Sequence, residues 1–399
     1  MRNDDVASMT AKYQMANYAR FPVAFVRGEG ARLFDADGRE YLDLLGGIAV
    51  AILGHAHPGV TRAVCAQAGN LVHASNLFHV PVQAEVGKLL SEAAGGGKVF
   101  FCNSGTEANE AAIKLARKFA VDRGRSGAHV IVVIDGSFHG RTYGGLSATA
   151  QPKYHQGFEP MLPGFRTAPF GDAEGLARAL DGTVCALLVE PIQGESGVRV
   201  HPAGYLAEAA RMCRERGILF VADEIQTGLG RTGAFLGSSW SGVTPDIVTL
   251  AKGLANGLPL GAVVAREDVA ASFGPGSHGS TFGGNPVCCA ASKVVLETIA
   301  APGFLDEVRR KGALIDGLLS ALAARRSDIR EARGMGLMRA IEMTCETREI
   351  VKRCLERGLV VGSSAGTVIR FLPPLTVSDA EIERGLSLLE ECLPAEGRR

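Results

Sequence analysis

The sequence predicts an α/β fold with two parts: a large domain built on a mainly parallel sheet, and a smaller α/β domain formed from both ends of the chain. Three observations support this prediction. Short apolar segments alternate with helical segments from about residue 98 to residue 265, which is typical of parallel strands buried on both faces. Strand-like segments precede residue 60, and mainly helical segments follow residue 286. A chain of 399 residues is also too long for one ordinary domain.

We therefore assign residues 61–286 to the large domain, and residues 1–60 and 287–399 to the small one. A turn signal, Asp35-Ala36-Asp37-Gly38, separates two strand-like segments at residues 31–34 and 40–44. The predicted strands of the large domain are residues 98–102, 129–134, 184–189, 218–222, 247–251 and 260–265. The predicted helices are residues 106–123, 204–216, 287–299, 305–324 and 378–392, the last with Ser378 as its N-cap.

Composition and charge exclude several classes of protein. Forty-two basic residues balance 42 acidic ones, so no overall field attracts nucleic acid or an anionic membrane. The longest nearly continuous apolar run, residues 44–54, is far shorter than the ~20 residues that span a bilayer. Nine cysteines without a C-x-x-C pair indicate buried thiols in a reducing compartment. We expect a soluble, cytoplasmic protein that binds neither nucleic acid nor membrane.

The start of the predicted helix 106–123 carries the groups that bind a phosphate. Ser104, Gly105 and Thr106 offer hydroxyls, backbone N–H groups and the positive end of the helix dipole. The same residues are typical of an ordinary helix cap, in which Glu107 would complete a capping box. This segment alone leaves both interpretations open.

Two charged residues follow predicted buried strands. Asp223 comes directly after residues 218–222, and Lys252 directly after residues 247–251. A buried carboxylate needs a cationic partner, and a buried lysine can lose its proton and act as an amine nucleophile. Ligands bind at the carboxyl ends of the strands in such sheets. A phosphate loop, a carboxylate and a lysine at one sheet edge are together the parts that a pyridoxal phosphate enzyme needs.

Two other motifs point elsewhere and are weaker. Residues 228–233 match the dinucleotide fingerprint G-x-G-x-x-G, but five residues separate them from the strand and no convincing helix follows. The acidic residue expected ~20 positions later is replaced by Lys252. His55 and His57 suggest a metal, but no further ligand pair lies nearby, so a loop cap is the better interpretation. We predict no metal site.

Segments along nearly the whole chain share the motifs of one known family. They are YAR (18–20), GHAHP (54–58), NSGTEANE (103–110), FHGR (138–141), VEPIQGE (189–195), DEIQTG (223–228), LAKG (250–253), GSTFGGNP (279–286) and RFLPPL (370–375). With these motifs the chain resembles the class III, ω-amino-acid aminotransferases of pyridoxal phosphate fold type I. The resemblance implies pyridoxal 5'-phosphate as cofactor and a homodimer with shared active sites.

The resemblance also implies roles for individual residues. Lys252 would hold the cofactor as a Schiff base, Asp223 would pair with its ring nitrogen, and both are implied to be catalytic. The other residues implied to bind the cofactor are Ser104, Gly105, Thr106, Phe138 (stacked on the ring), Glu224, Ile225, Gln226 and, from the neighbouring subunit, Thr281. Those implied to bind substrate are Tyr18, Arg141, Glu195, Ser280 and Arg370.

Within the family, the chain is most similar to members that act on N2-acetyl-L-ornithine. This implies amino-group transfer to 2-oxoglutarate, giving N-acetyl-L-glutamate 5-semialdehyde and L-glutamate in arginine biosynthesis. Arg370 would bind the glutamate α-carboxylate, and Glu195 would pair with Arg370 while the other donor reacts.

Other donors stay open. Ornithine, succinylornithine, succinyldiaminopimelate or 4-aminobutyrate could replace acetylornithine, although the apolar Ile48 favours an acylated donor because ornithine enzymes tend to have tyrosine there. An aminomutase is a further alternative. A non-enzymatic binding protein is disfavoured because both Lys252 and Asp223 are present.

Overall fold

A seven-stranded sheet forms the centre of the structure, a computed structural model that describes residues 1–395. The strands are β1 (Phe25–Glu29), β2 (Arg32–Asp35), β3 (Glu40–Asp43), β4 (Lys98–Cys102), β5 (Val130–Ile134), β6 (Phe165–Ala168), β7 (Val184–Val189), β8 (Ile192–Gln193), β9 (Arg199–Val200), β10 (Leu219–Asp223), β11 (Ile247–Leu250), β12 (Gly261–Ala265), β13 (Ile329–Met335), β14 (Met338–Met343), β15 (Leu359–Val360), β16 (Gly362–Ser364) and β17 (Val368–Phe371).

Helices cover the sheet and connect its strands. They are α1 (Asn3–Tyr13), α2 (Gly46–Ala49), α3 (Pro58–Asn70), α4 (Pro81–Ala93), α5 (Gly105–Asp122), α6 (Tyr143–Ala148), α7 (Ala173–Ala179), α8 (Tyr205–Glu215), α9 (Glu267–Ala270), α10 (Pro286–Ala300), α11 (Phe304–Ala324), α12 (Arg348–Glu356) and α13 (Asp379–Cys392). Short 3₁₀ turns occur at Pro152–Tyr154, Gly237–Ser241 and Lys252–Ala255.

The central sheet has the strand order β4-β12-β11-β10-β7-β5-β6. Only β12 runs antiparallel to its neighbours, β11 and β4. Every residue of β7, β10, β11 and β12 is buried, as expected for strands covered on both faces. The predicted α/β fold with a mainly parallel sheet is confirmed, and the antiparallel β12 is a feature that the sequence did not indicate.

Local sequence explains where α5 begins. The Ser104 side chain accepts a hydrogen bond from the Glu107 backbone N–H, and the Glu107 carboxylate accepts one from the Asn103 N–H. This exchange satisfies N–H groups that have no partner within the helix. The cap thus fixes the helix N-terminus directly after β4, at the carboxyl edge of the sheet.

Both ends of the chain meet in the smaller part of the fold. Strand β15 pairs in parallel with β3, placing Leu359 opposite Leu42, in the sheet β1-β2-β3-β15. A second small sheet has the order β13-β14-β17-β16. Helix α13 begins with a capping box in which Ser378 and Glu381 exchange hydrogen bonds. The boundaries at residues 60 and 286 remain a proposal, and residues 396–399 lie outside the described part.

The two weaker motifs occupy ordinary structural positions. His57 caps α3, where its ring accepts a hydrogen bond from the Val60 N–H, and His55 contacts the Asp43 carboxylate at 2.7 Å. Residues 228–233 form a series of turns and no helix follows them directly. Within residues 1–395, no single helix has the length and apolarity to cross a membrane; α10 and α11 pass only as a pair, bent by 75°.

Candidate active site

A cavity of about 440 Å³ opens at the carboxyl ends of β4, β5, β7, β10 and β11. The segments that follow these strands supply its walls. The predicted site residues that line it are Ser104, Gly105, Thr106, Phe138, Arg141, Glu195, Asp223, Ile225, Gln226 and Lys252. Segments far apart in sequence therefore converge on one cavity.

Lys252 lies in the wall of this cavity, directly after β11. Its backbone has a φ of 40°, a left-handed conformation that is uncommon for residues other than glycine. Enclosure by the surrounding protein, together with the Arg370 charge, lowers the pKa of Lys252, although the nearby carboxylates of Glu195, Asp223 and Glu190 oppose this shift. A lowered pKa increases the fraction of neutral amine, the form that acts as a nucleophile.

Three donors hold the Asp223 carboxylate, which is buried at the end of β10. Asn109 Nδ2 donates to Oδ2 over 2.8 Å, and His139 Nδ1 contacts the same oxygen at 2.7 Å. The Ile225 N–H donates to Oδ1 over 3.1 Å. Thr249 in turn donates to Asn109 Oδ1 over 2.9 Å, which fixes the amide orientation. The carboxylate therefore has a single, well-defined orientation.

Sequence reasoning assigned no role to three buried residues of this cavity. Asn109 and His139 bind Asp223, and His139 Nε2 has no hydrogen-bond partner within residues 1–395. Glu190 accepts hydrogen bonds from the N–H groups of Phe138 (2.9 Å) and Gly194 (3.2 Å). Burial raises the pKa of Glu190 to about 7. All three residues lie within quoted family motifs, which was the one available signal.

The N-terminus of α5 meets the segment after β10 in close contact. A Cβ on Gly105 would lie 2.8 Å from the Ile225 side chain, so any larger residue would require Ile225 to move. Thr106 Oγ1 contacts Thr142 Oγ1 at 2.7 Å and accepts hydrogen bonds from the N–H groups of Arg141 and Thr142. The helix end and the segment 138–142 thus form one wall of the cavity.

Aromatic rings support the exposed Arg141. Its guanidinium carbon lies 4.1 Å from the centre of the Tyr154 ring and 5.6 Å from that of Phe138. Tyr154 also contacts Phe138 edge to face, with ring centres 5.8 Å apart. Cation–π contacts restrain a guanidinium without neutralising it. Arg141 therefore keeps its charge available for a carboxylate.

Arg370, on β17, is buried and contacts Glu195 and Gln226, which line the cavity. Its Nη1 lies 2.7 Å from Glu195 Oε1 and donates to the Gly194 carbonyl over 3.0 Å and to Gln226 Oε1 over 3.3 Å. Burial opposes the ionisation of Glu195, but the charges of Arg370 and Lys252 outweigh it and lower the pKa of that carboxyl. The predicted pair is therefore formed and ionised.

The remaining predicted residues do not line the cavity. The Glu224 carboxylate points to another loop, where it accepts hydrogen bonds from the N–H groups of Gly237 and Ser238, so a contact with a cofactor has no support here. Tyr18 is 68% exposed, and Thr281 is exposed. Ser280 Oγ accepts hydrogen bonds from Asn103 and from a backbone N–H near the cavity rim.

A larger cleft, of about 1050 Å³, lies at the opposite edge of the sheet. Arginines are prominent in its lining, including Arg125, Arg214 and Arg216, but none of the predicted site residues contributes to it. Because ligands of parallel sheets bind at the carboxyl ends of the strands, the smaller cavity is the candidate active site.

The fold and the cavity together are those of an enzyme that transfers amino groups. The sequence also matches a family of such enzymes. Residues 13–393 match the family model described as Aminotransferase class-III. The chain belongs to the class III aminotransferases.

Individual relatives narrow the comparison. The chain is 47% identical to the acetylornithine aminotransferase of Caldanaerobacter subterraneus subsp. tengcongensis over 96% of this chain and 97% of that protein. It is 46% identical to that of Methanopyrus kandleri over 98% and 100%, respectively. Among solved structures, the ornithine aminotransferase of Toxoplasma gondii ME49 superposes with a TM-score of 0.95 at 35% identity, covering 98% of this chain and 95% of that one.

Proposed function

We propose that this protein is a pyridoxal 5'-phosphate-dependent enzyme that transfers the amino group between N2-acetyl-L-ornithine and 2-oxoglutarate. The products would be N-acetyl-L-glutamate 5-semialdehyde and L-glutamate, so that one amine and one carbonyl group exchange places. The observation that carries the proposal is the cavity in which Lys252 and Asp223 lie close to the ion pair between the buried Arg370 and the more accessible Glu195. Similarity to acetylornithine aminotransferases along the whole chain supports the choice of substrate.

The cavity has the chemical groups that this cofactor requires. The N-terminus of α5 offers N–H groups and the Thr106 hydroxyl to a phosphate. Asp223 offers a fixed carboxylate to a protonated ring nitrogen, and Phe138 offers an aromatic face. Lys252 offers an amine with a lowered pKa. These residues would hold the cofactor, which when bound supplies an electron sink for the carbon that loses its proton.

The protein's own residues then have distinct tasks. Lys252 accepts a proton from the substrate carbon and returns it, a role for which its lowered pKa is suited. Asp223 would stabilise a positive charge at the ring nitrogen of the bound cofactor, because Asn109, His139 and the Ile225 N–H hold its carboxylate in one place. Arg141 binds the substrate carboxylate far from the reacting amine.

Arg370 and Glu195 let one cavity accept two unlike substrates. Acetylornithine presents methylene groups near Arg370, and an unpaired guanidinium facing them would be costly. In the acetylornithine half of the reaction, Glu195 neutralises the charge of Arg370 through the observed ion pair, in which Glu195 Oε1 and Arg370 Nη1 are 2.7 Å apart. When glutamate or 2-oxoglutarate binds, its α-carboxylate replaces Glu195 on the guanidinium.

Ornithine is the second candidate donor, because the structural relatives include ornithine aminotransferases. The apolar Ile48 argues against it, since a tyrosine hydroxyl that could bind a free α-amino group is missing at this position. Ile48 itself is 40% exposed, whereas the neighbouring Val50 lines the cavity. The apolar residues at positions 48 and 50 offer no hydrogen-bonding side chain to a free α-amino group, which favours an acylated donor. Separately from the choice of donor, we propose that the protein is located in the cytoplasm.

We also propose a homodimer in which Thr281 contributes to the partner's site. Leu77, Phe78 and Phe282 are 86%, 68% and 60% exposed. Asn76 joins their two segments by donating to the carbonyls of Ser280 and Gly283, both over 3.0 Å. Three exposed apolar side chains thus lie on two joined segments, one of which contains Thr281, and exposed apolar residues of this kind are what a second subunit covers.

A panel of amino donors tests the proposal. The purified, cofactor-loaded protein is given acetylornithine, ornithine, succinylornithine, succinyldiaminopimelate and 4-aminobutyrate with 2-oxoglutarate, and kcat/KM is measured for each. We expect acetylornithine to have the highest value. Ornithine ranking first would favour the second candidate, and turnover without 2-oxoglutarate would indicate an aminomutase.

A further inference from the structure

The segment 228–233, which resembles a dinucleotide fingerprint, has a structural task of a different kind. It follows the cavity residues Asp223 and Gln226 along the chain and contains Arg231, whose side chain is only 1% exposed. Among the fully buried side chains, that of Arg231 is the largest within residues 1–395. A guanidinium in such a place requires an explanation, because burying a charge is costly.

Arg231 joins this segment to the smaller part of the fold. Its backbone carbonyl accepts a hydrogen bond from the Leu337 N–H over 3.0 Å. Its Nη1 donates to the Leu337 carbonyl over 3.1 Å and to the Pro373 carbonyl over 2.5 Å. One residue thus holds both backbone polar groups of Leu337 and also the carbonyl of Pro373.

The backbones on the two sides are in direct contact. A Cβ on Gly336 would lie 2.4 Å from the carbonyl carbon of Thr232, so no side chain fits between the turn β13–β14 and the segment 228–233. A Cβ on Gly230 would lie 2.9 Å from the Leu305 side chain. Because the segment is enclosed, a movement of Pro373 cannot be absorbed by solvent or by a loose side chain.

Electrostatics make this contact strong. Neither Nε nor Nη2 of Arg231 has a hydrogen-bond partner among residues 1–395, and no carboxylate there pairs with the guanidinium. Burial lowers the pKa of Arg231 to about 9, which leaves the side chain charged at neutral pH. The two carbonyl groups are therefore the principal stabilisation of a buried charge, and hydrogen bonds to charged groups are stronger than neutral ones.

Pro373 lies three residues beyond Arg370 and two residues beyond Phe371, the last residue of β17. We propose that Arg231 is a positioning residue for Arg370. By binding the Pro373 carbonyl, it holds the C-terminal end of β17 against the segment 228–233, which directly follows the cavity residues Asp223 and Gln226. This contact fixes the position of Arg370 at the cavity. The inference rests on the proposed function, in which Arg370 binds the α-carboxylate of glutamate and 2-oxoglutarate. The acetylornithine half-reaction, in which Glu195 neutralises Arg370, depends less on that position.

Two variants of Arg231 test this role. Arg231→Met keeps an unbranched, flexible apolar stem, shorter than arginine, and removes all donors. Arg231→Lys keeps the charge with a shape that does not reach two carbonyls together. Arg309→Met is the matched control, because Arg309 donates to the Gly233 carbonyl of the same segment over 2.6 Å but contacts neither Leu337 nor Pro373. Both half-reactions are followed by rapid-mixing absorbance with the cofactor-loaded proteins.

We expect Arg231→Met to lower kcat/KM for 2-oxoglutarate by at least about tenfold, through KM, and to change the acetylornithine half less than about threefold. Arg231→Lys, which should fold even if the Met variant does not, should show the same selectivity to a smaller extent. The control should leave the ratio of the two halves unchanged. Equal slowing of both halves by the Arg231 variants would overturn the proposal.

Hydrogen–deuterium exchange gives a readout that is independent of activity. Backbone amides of residues 368–375 should exchange faster in Arg231→Met and Arg231→Lys than in the wild type, and not in Arg309→Met. Unchanged exchange would overturn the inference even if the enzyme is fully active. If the wild type fails to transaminate but exchange responds as expected, the proposed function is wrong while the link between Arg231 and β17 stands.

Discussion

Arg370 and Glu195 lie 175 positions apart in sequence, yet their side chains form a 2.7 Å ion pair at the wall of the cavity. Arg370 is 3% exposed and Glu195 more accessible, at 25% for its side chain. The arginine is therefore the fixed partner and the glutamate the one with room to move. This asymmetry is what a site needs if the pair must open for one substrate and close for the other.

Glu195→Ala should slow the acetylornithine half-reaction selectively. It leaves the Arg370 charge facing methylene groups, and the loss of such a charged interaction is worth about 1.5–3 kcal/mol, roughly 10- to 150-fold in rate. The glutamate half should keep its rate or improve. Rapid-mixing absorbance follows each half separately. The control is Glu331→Ala, which breaks the pair between the exposed Glu331 and Arg333. An unchanged ratio of the two halves would contradict the exchange of partners on Arg370.

Lys252→Ala should abolish turnover while the fold remains intact. The phosphate and ring contacts of the cavity do not depend on this amine, so the variant should still bind the cofactor, without a covalent link. Activity assays and far-ultraviolet circular dichroism test both statements. Multiple turnover by the purified variant would show that another group moves the proton.

Asp223→Ala should lower kcat by at least about 10- to 150-fold, because a charged hydrogen bond is worth about 1.5–3 kcal/mol and the carboxylate also maintains the ring charge. Asp246→Asn is a suitable control. Asp246 is partly buried at the opposite edge of the same sheet, where it accepts a hydrogen bond from the Phe220 N–H over 2.8 Å. Near-normal kcat in Asp223→Ala, or an equal loss in the control, would argue against the assigned role.

The lowered pKa of Lys252 predicts a pH-dependent stability in the protein freed of cofactor. Burial disfavours the protonated amine, so unfolding takes up a proton at any pH between the lowered pKa and the usual 10.5. The cost of burying the charged amine therefore decreases as the pH rises through this range. Lys252→Met should therefore stabilise the protein at pH 7, by an amount that shrinks towards pH 10.5. Denaturant titrations measure this, with the exposed Lys88→Met as control. A gain that is constant with pH would contradict the shift.

Mixed dimers test the predicted contribution of Thr281 to the neighbouring site. A hybrid of one Lys252→Ala subunit and one Thr281→Val subunit contains one site with both wild-type residues if Thr281 acts across the interface. Its activity should be about half that of the wild type. If Thr281 acts within its own subunit, the hybrid has no intact site and should be no more active than the Thr281→Val parent.

The sequence predicted six of the seven strands of the central sheet, because fully buried strands have few alternatives, but it missed the partly exposed edge strand β6. The predicted bounds of β4 and β7 agree with the structure, and α5 begins one residue before the predicted start. The edge that carries Asp223 and Lys252 followed from the rule on parallel strands. The antiparallel direction of β12 could not be predicted, because a continuous apolar segment is equally compatible with a parallel and an antiparallel buried strand.

The supporting residues of the site were harder to predict. Asn109 lies 114 positions from Asp223. Its place in the sequence of α5 does not distinguish it from any other polar residue on the buried face of a helix. His139 and Glu190 are single residues whose partners depend on how three loops meet. The Arg370–Glu195 pair came from the family resemblance, because no spacing rule connects a residue of β17 with a loop so distant in sequence.

The parallel pairing of β3 with β15 has a consequence for the growing chain on the ribosome. Strand β3 ends at Asp43, and its partner is complete only at Val360. At about 5–20 residues per second, synthesis leaves that edge without its neighbour for roughly 15–60 s. Meanwhile all strands of the central sheet have already been made. An early emerging hairpin with an open edge is a natural contact for a chaperone, and the small domain is the part that must assemble last.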